Sequence, residues 1–168
     1  VYLTGEAYFK VAKNTEHPFV VTAGELEVLV TGTTFGVRAY KDEKDIQTTL
    51  ESGQVTVRVE GKSVKLVPNK QVLFNKSTMG LEVRDVDVDL YLAWADGRLV
   101  YDNCPLEKIL TDLGRWYNID VFYSRDELRS YQFSLNMKKH EEFTQVLELI
   151  GKTGEVQFEI KDNTVIVK

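Results

Sequence analysis

The feature that most constrains this chain is an internal repeat with an offset of 37 residues. Gly114 aligns with Gly151, and the same step carries Leu106 to Phe143, Ile109 to Val146, Leu110 to Leu147 and Leu113 to Ile150. It also carries Ile119 to Val156, Val121 to Phe158 and Tyr123 to Ile160. The first set falls at helical spacing and the second alternates as a strand does. One offset therefore aligns a helix stripe and the strand after it, which predicts a βαβ unit used twice. The strands ahead of each helix, around Val100 and Leu135, align only with a small insertion.

Local signals sharpen the first of these units. Pro105 suits a first helical turn, because its fixed φ fits and its missing N–H costs nothing there. Glu107 places negative charge near the N-terminal end of the helix dipole. Asn118 tolerates the left-handed conformation and marks the helix stop. At the end of the chain, Asp162-Asn163 predicts a tight turn between Val156–Lys161 and Thr164–Lys168. The final strand, Thr164, Val165, Ile166 and Val167, reads either as a sheet edge, whose backbone would be open to a strand from a partner, or as a central strand that only completes the fold.

The first half reads differently. Leu26, Val28 and Val30 alternate with Glu25, Glu27, Leu29 and Thr31, and Val55, Val57 and Val59 alternate with Thr56 and Arg58. Turn signals recur at Ala23-Gly24, Ser52-Gly53 and Glu60-Gly61-Lys62-Ser63. Short, evenly spaced strands with such punctuation predict an all-β sandwich or jelly-roll-like domain. Val83, Val86, Val88 and Leu90 interleave with Arg84, Asp85, Asp87 and Asp89, as either a last strand or an extended linker. A hinge is expected within Met79–Ala93. The expected division is residues 1–88, all-β, and 89–168, a small α+β domain of two βαβ units.

The chemistry is sparse. With net charge -5 and no basic stripe, nucleic acid and anionic lipid are poor partners. The only two histidines, His17 and His140, lack metal-ligand spacing, and surface roles are expected. Cys104 sits beside Pro105 with no histidine near in sequence, and a cap-proximal or buried thiol is expected. Asp85, Asp87 and Asp89 would share one strand face, as a hard-cation site needs, but no ligand loop accompanies them, and an exposed linker face is expected. Gly32, Gly36, Gly53 and Gly61 read as turn or bulge glycines and form no phosphate loop. No catalytic, cofactor-binding or metal site is expected, so the chain is not read as an enzyme. Tyr91, Trp94, Tyr101, Trp116 and Tyr117 cluster around the hinge. They read either as packing at the domain junction or as anchors of a partner surface.

Two blocks carry a resemblance. The first is GEAYFKVAK with PFVVTAGELEVLVTGTTFGVRAY and TTLESGQVTV, within Gly5–Val57. The second is AWADGRLVYDNCPLEKILTDLGRWYNIDVFY, Ala93–Tyr123, with FTQVLELIGKTGEVQFEI after it. In this order they resemble the periplasmic part of a FecR-type anti-sigma factor of the kind abundant in Bacteroidetes. The second half resembles the small secretin/TonB N-terminal fold. The resemblance implies the periplasmic domain of a single-pass inner-membrane protein. It would receive a signal from the signalling domain of a TonB-dependent outer-membrane transducer and act on an extracytoplasmic-function sigma factor through a cytoplasmic segment absent here. Trp94, Tyr101, Trp116, Tyr117 and Thr164–Val167 are the candidate contacts, and no cofactor is implied.

There are departures from the family pattern. A sheet segment with an LPDGT-like turn usually precedes GEAYF and is absent, so the β domain is expected to be truncated at its N-terminus. The open edge this leaves would invite self-association. Gly114 stands where many relatives carry a larger residue. Two other readings fit the same residues: a carbohydrate-binding β-sandwich module, with Trp and Tyr as a sugar platform, or the N-terminal region of an outer-membrane secretin or transducer.

Overall fold

Alternation of apolar and polar residues in the first half becomes nine antiparallel strands: β1 Gly5–Lys10, β2 Phe19–Ala23, β3 Leu26–Val30, β4 Thr34–Ala39, β5 Asp45–Ser52, β6 Val55–Val59, β7 Lys62–Leu66, β8 Lys70–Asn75 and β9 Gly80–Asp85. The structure is a computed structural model and describes residues 1–138 and 143–168. The strands form two sheets, ordered β1-β4-β5-β8-β9 and β2-β3-β6-β7. One buried cluster draws Val21, Leu26, Val28 and Val57 from the smaller sheet and Phe35, Leu50, Val72 and Phe74 from the larger. The two sheets therefore close over a shared core. Phe9 stacks on Phe35 at 5.1 Å and meets Phe19 at 5.7 Å, which ties β1 and β2 to that core. The turn between β6 and β7 has Glu60 at φ 44° and Gly61 at φ 77°. Two successive left-handed residues match the twist of a tight hairpin.

The expected hinge is not found at Met79–Ala93. Gly80–Asp85 pairs along its length with β8, from Asn75↔Gly80 to Lys70↔Asp85. A short helix, α1 Asp89–Leu92, and a 3-10 turn, Ala93–Asp96, follow. The chain divides into Val1–Asp96 and Gly97–Lys168, not at residue 88. The division falls later because Leu92 and Ala93 are buried in the first unit, on the outer face of its larger sheet.

The second unit contains β10 Arg98–Pro105, α2 Leu106–Tyr117, β11 Asp120–Tyr123, a 3-10 turn Asp126–Ser130, β12 Gln132–Lys138, α3 Thr144–Gly151, β13 Phe158–Lys161 and β14 Thr164–Val167. The strand–helix–strand order does occur twice, but the two strands of each unit do not lie side by side. β10 pairs antiparallel with β12, and a second sheet has the order β11-β14-β13, with β11 parallel to β14. These are therefore not parallel crossover units of the usual kind. The repeat instead places β11 and its counterpart β13 on either side of β14.

The repeat holds in the packing. Ile109, Leu110 and Leu113 are buried, as are Val146, Leu147 and Ile150, all in one cluster. A Cβ on Gly114 would stand 3.0 Å from the Ile119 carbonyl oxygen, and one on Gly151 would stand 3.8 Å from the Val156 carbonyl oxygen. Both glycines thus lie against the strand entrance that follows their helix. The correspondence fails at the end, where Tyr123 is buried and Ile160 is 44% exposed on the outermost strand. Pro105 ends β10 and caps α2, one residue ahead of the helical turn expected for it. Asn118 stops α2 at φ 53°, ψ 51°, and its N–H returns to the Gly114 carbonyl.

Candidate functional site

One polar feature of the first unit is a row across its larger sheet. In register, Tyr8 of β1 faces Gly36 of β4, Gly36 faces Thr49 of β5, Thr49 faces Gln71 of β8, and Gln71 faces Arg84 of β9. Gln71 is 0% exposed. Its Nε2 donates to Thr49 Oγ1 at 2.6 Å, while its Oε1 accepts from Arg84 Nε at 2.9 Å and Nη2 at 2.5 Å. Each buried polar atom of this pair is thereby matched, as burial requires.

The segment after β9 lies over this row. Arg84 Nη2 also donates to the Tyr91 hydroxyl at 3.0 Å, and its guanidinium lies 5.5 Å from the Tyr91 ring centre. A Cβ on Gly36 would lie 2.3 Å from Leu92 Cδ2. Gly36 is therefore neither a turn nor a bulge glycine; its missing side chain is the seat for Leu92. Leu92 is 7% exposed, and a leucine so buried contributes about 1.5–3 kcal/mol. Trp94 Nε1 donates to the Tyr91 carbonyl at 2.8 Å. At the far end of the row the Tyr8 hydroxyl donates to Glu51. Burial first, then Glu51 and the charge of Asp96, raise the Tyr8 hydroxyl well above its ordinary pKa.

The predicted contact residues separate. Trp94 belongs to the first unit, and Tyr101, Trp116 and Tyr117 to the second. Trp116 and Tyr117 are partly buried against the second core, where the Tyr117 and Phe143 rings meet at 6.0 Å. Tyr101 donates its hydroxyl to Asp112 at 3.0 Å. Thr164–Val167 is corrected: β14 is the middle strand of its sheet, paired with β11 on one side and β13 on the other. Its backbone is consumed within the unit, so it has no edge to offer a partner.

Asp112 escaped sequence reasoning. It is 3% exposed although it stands in an amphipathic helix, and it is matched by Tyr101 and by Lys108 one turn earlier. The Lys108–Asp112 spacing was the available signal. Cys104, beside this pair, has its thiol pushed up chiefly by burial, with Lys108 pulling it down and Asp112 pushing it up. That is the opposite of an activated nucleophile. Asp85 pairs with Lys70 at 2.7 Å, and Asp87 accepts from the Asp89 N–H at 3.1 Å. Among the described residues no group of three or more His, Cys, Asp or Glu is placed to hold a metal. His140 lies outside the described residues.

Comparison with known proteins gives these units a context. Residues 2–56 match the family described as FecR protein, and residues 98–167 match the one described as FecR, C-terminal. The chain belongs to the FecR family. In this family setting it is part of a signalling regulator of the anti-sigma type. Two crystal structures of a Parabacteroides distasonis ATCC 8503 protein assigned as an anti-sigma factor share the FecR chain's fold. They have TM-scores of 0.84 and 0.83 at 22% identity, each covering 99% of this chain and 78% of that chain. No curated protein matches. The FecR C-terminal match begins at Arg98, beside the division between the two units, and spans nearly all of the second. No helix among the described residues of this FecR chain is long and apolar enough to cross a membrane.

Proposed function

We propose that this chain is the periplasmic, signal-receiving region of an inner-membrane anti-sigma factor. In this reading it takes a signal from a TonB-dependent outer-membrane transducer and passes it, by protein–protein contact, to an extracytoplasmic-function sigma factor held by a cytoplasmic segment. The observation that supports the reading most is the pair of FecR matches, one in each unit and in the family's order.

The second unit receives the transducer. β11 is an outer strand of its sheet, and Phe122 on that strand is 61% exposed, with Ile166 opposite it in register. Trp116 and Tyr117, at the end of the preceding helix, supply aromatic anchors nearby in sequence. The test has two parts. The purified chain is titrated with the signalling domain of a transducer from the same organism by calorimetry, and transcription from the cognate promoter is followed in cells carrying the full-length protein. Binding that is lost in Phe122→Glu, together with promoter output that no longer follows the transducer's stimulus, is expected. Absence of binding to any signalling domain of that organism, with a promoter that ignores deletion of the full-length gene, overturns the reading.

A further inference from the structure

We infer that residues 88–96 form a releasable latch on the first unit, closed when Leu92 occupies the seat at Gly36 and Tyr91 lies over Arg84. The inference goes beyond the signalling role and does not depend on it.

The case begins with the latch itself. α1 has four residues, and its N-cap residue, Val88, makes no side-chain capping bond. So short a helix does not persist alone, because nucleation costs more than a single turn returns. Its shape is therefore a consequence of being docked. A Cβ at position 36 would stand 2.3 Å from Leu92 Cδ2, so the Leu92 side chain must shift from its seat if position 36 carries one.

The floor beneath the latch explains why release is accessible. Gln71, Thr49 and Arg84 satisfy one another, and these bonds do not need the latch. Uncovering them exposes polar atoms that water solvates readily, whereas an apolar floor would resist hydration. The side chains that lose their cover are chiefly Leu92 and Ala93. Closed and open states are thus both self-consistent, as a two-state element requires.

Release changes the connection out of the first unit. In the closed state the chain is held to the sheet by Tyr91 on Arg84 and Leu92 at Gly36. In the open state Val88–Asp96 is free chain, with an extended reach on the order of 30 Å at about 3.3–3.6 Å per residue. Anything that favours one state sets the length of this tether.

Chymotrypsin reads the latch directly, because Tyr91, Leu92 and Trp94 are its cleavage residues and are held in the closed state. In the whole chain, Gly36→Val is expected to speed cleavage at these residues at least tenfold. In a Trp116→Phe background it should also shift Trp94 emission to the red, with the β-sheet circular dichroism retained. Leu92→Ser, which leaves the sheet untouched, is expected to do the same and decides the matter if Gly36→Val fails to fold. Cleavage at the wild-type rate in a folded Leu92→Ser chain overturns the latch.

Discussion

Thr48 offers a sharp test of how the first unit is held together. It lies on β5 between Val37 of β4 and Val72 of β8. It is 0% exposed and points into the shared core, where its Oγ1 has no hydrogen-bond partner among the described residues. Taking a hydroxyl out of water without compensation costs about 1–3 kcal/mol in proteins. Valine has nearly the same shape and suits a strand. Thr48→Val therefore removes the penalty and adds apolar contact, and should stabilise the unit by about 1–2 kcal/mol. Calorimetry of the whole chain should show one transition moving up by roughly 4–16 °C, given about 4–8 °C per kcal/mol for a unit of this size. Thr48→Ser keeps the hydroxyl, loses the methyl and should cost about 1 kcal/mol. A lower melting temperature for Thr48→Val would refute the reasoning, because it would mean the hydroxyl is satisfied in solution.

Three further outcomes are expected. Leu110→Ala and Leu147→Ala, at repeat-equivalent buried positions, should each cost about 2–5 kcal/mol in urea titration; a surface-like loss in either would break the equivalence. Val165→Pro should unfold the second unit, costing about 3 kcal/mol or more, because β14 is paired on both sides; a native-like amide spectrum would count against that pairing. Glu159 is held down to about 2 by Lys161 and Lys168. Its depressed folded pKa means its contribution is present above its ordinary value near 4.5 and fades as pH falls toward 2. Carboxyl chemical shifts should place its midpoint below that of the other glutamates, and Lys168→Ala should raise it.

Features encoded over a few residues were legible in the sequence. Glu60-Gly61, the stripe of α2, the Asn118 stop and the Asp162-Asn163 turn each rest on neighbours in the chain, and each has its structural counterpart. Pairing order was not legible. Nothing local tells Thr164–Val167 whether it sits at an edge or between β11 and β13, because both positions suit β-branched residues. The same limit hid the latch. Tyr8, Gly36, Thr49, Gln71 and Arg84 come from five strands and share no motif. Gly36 within an apolar strand was the one visible sign, and it is easily taken for a bulge. Val83 to Leu90 has an alternating pattern that fits strand or linker equally, and the chain uses it as strand first and latch afterwards.

The central place of β14 has a consequence in time. The strand that joins β11 to β13 is the last of the second unit to be synthesised, and β11 waits through the 44 positions between Asp120 and its partner Thr164. Closing so long a loop is slow. A chain delivered N-terminus first therefore spends that interval with its helices made and β11 lacking its native partner, at the stage when unpaired strands are most prone to aggregate. Completion of the sheet then comes as a single late event. A ribosome stalled, or a protease arriving, before Thr164–Val167 is available leaves the whole second unit unfinished.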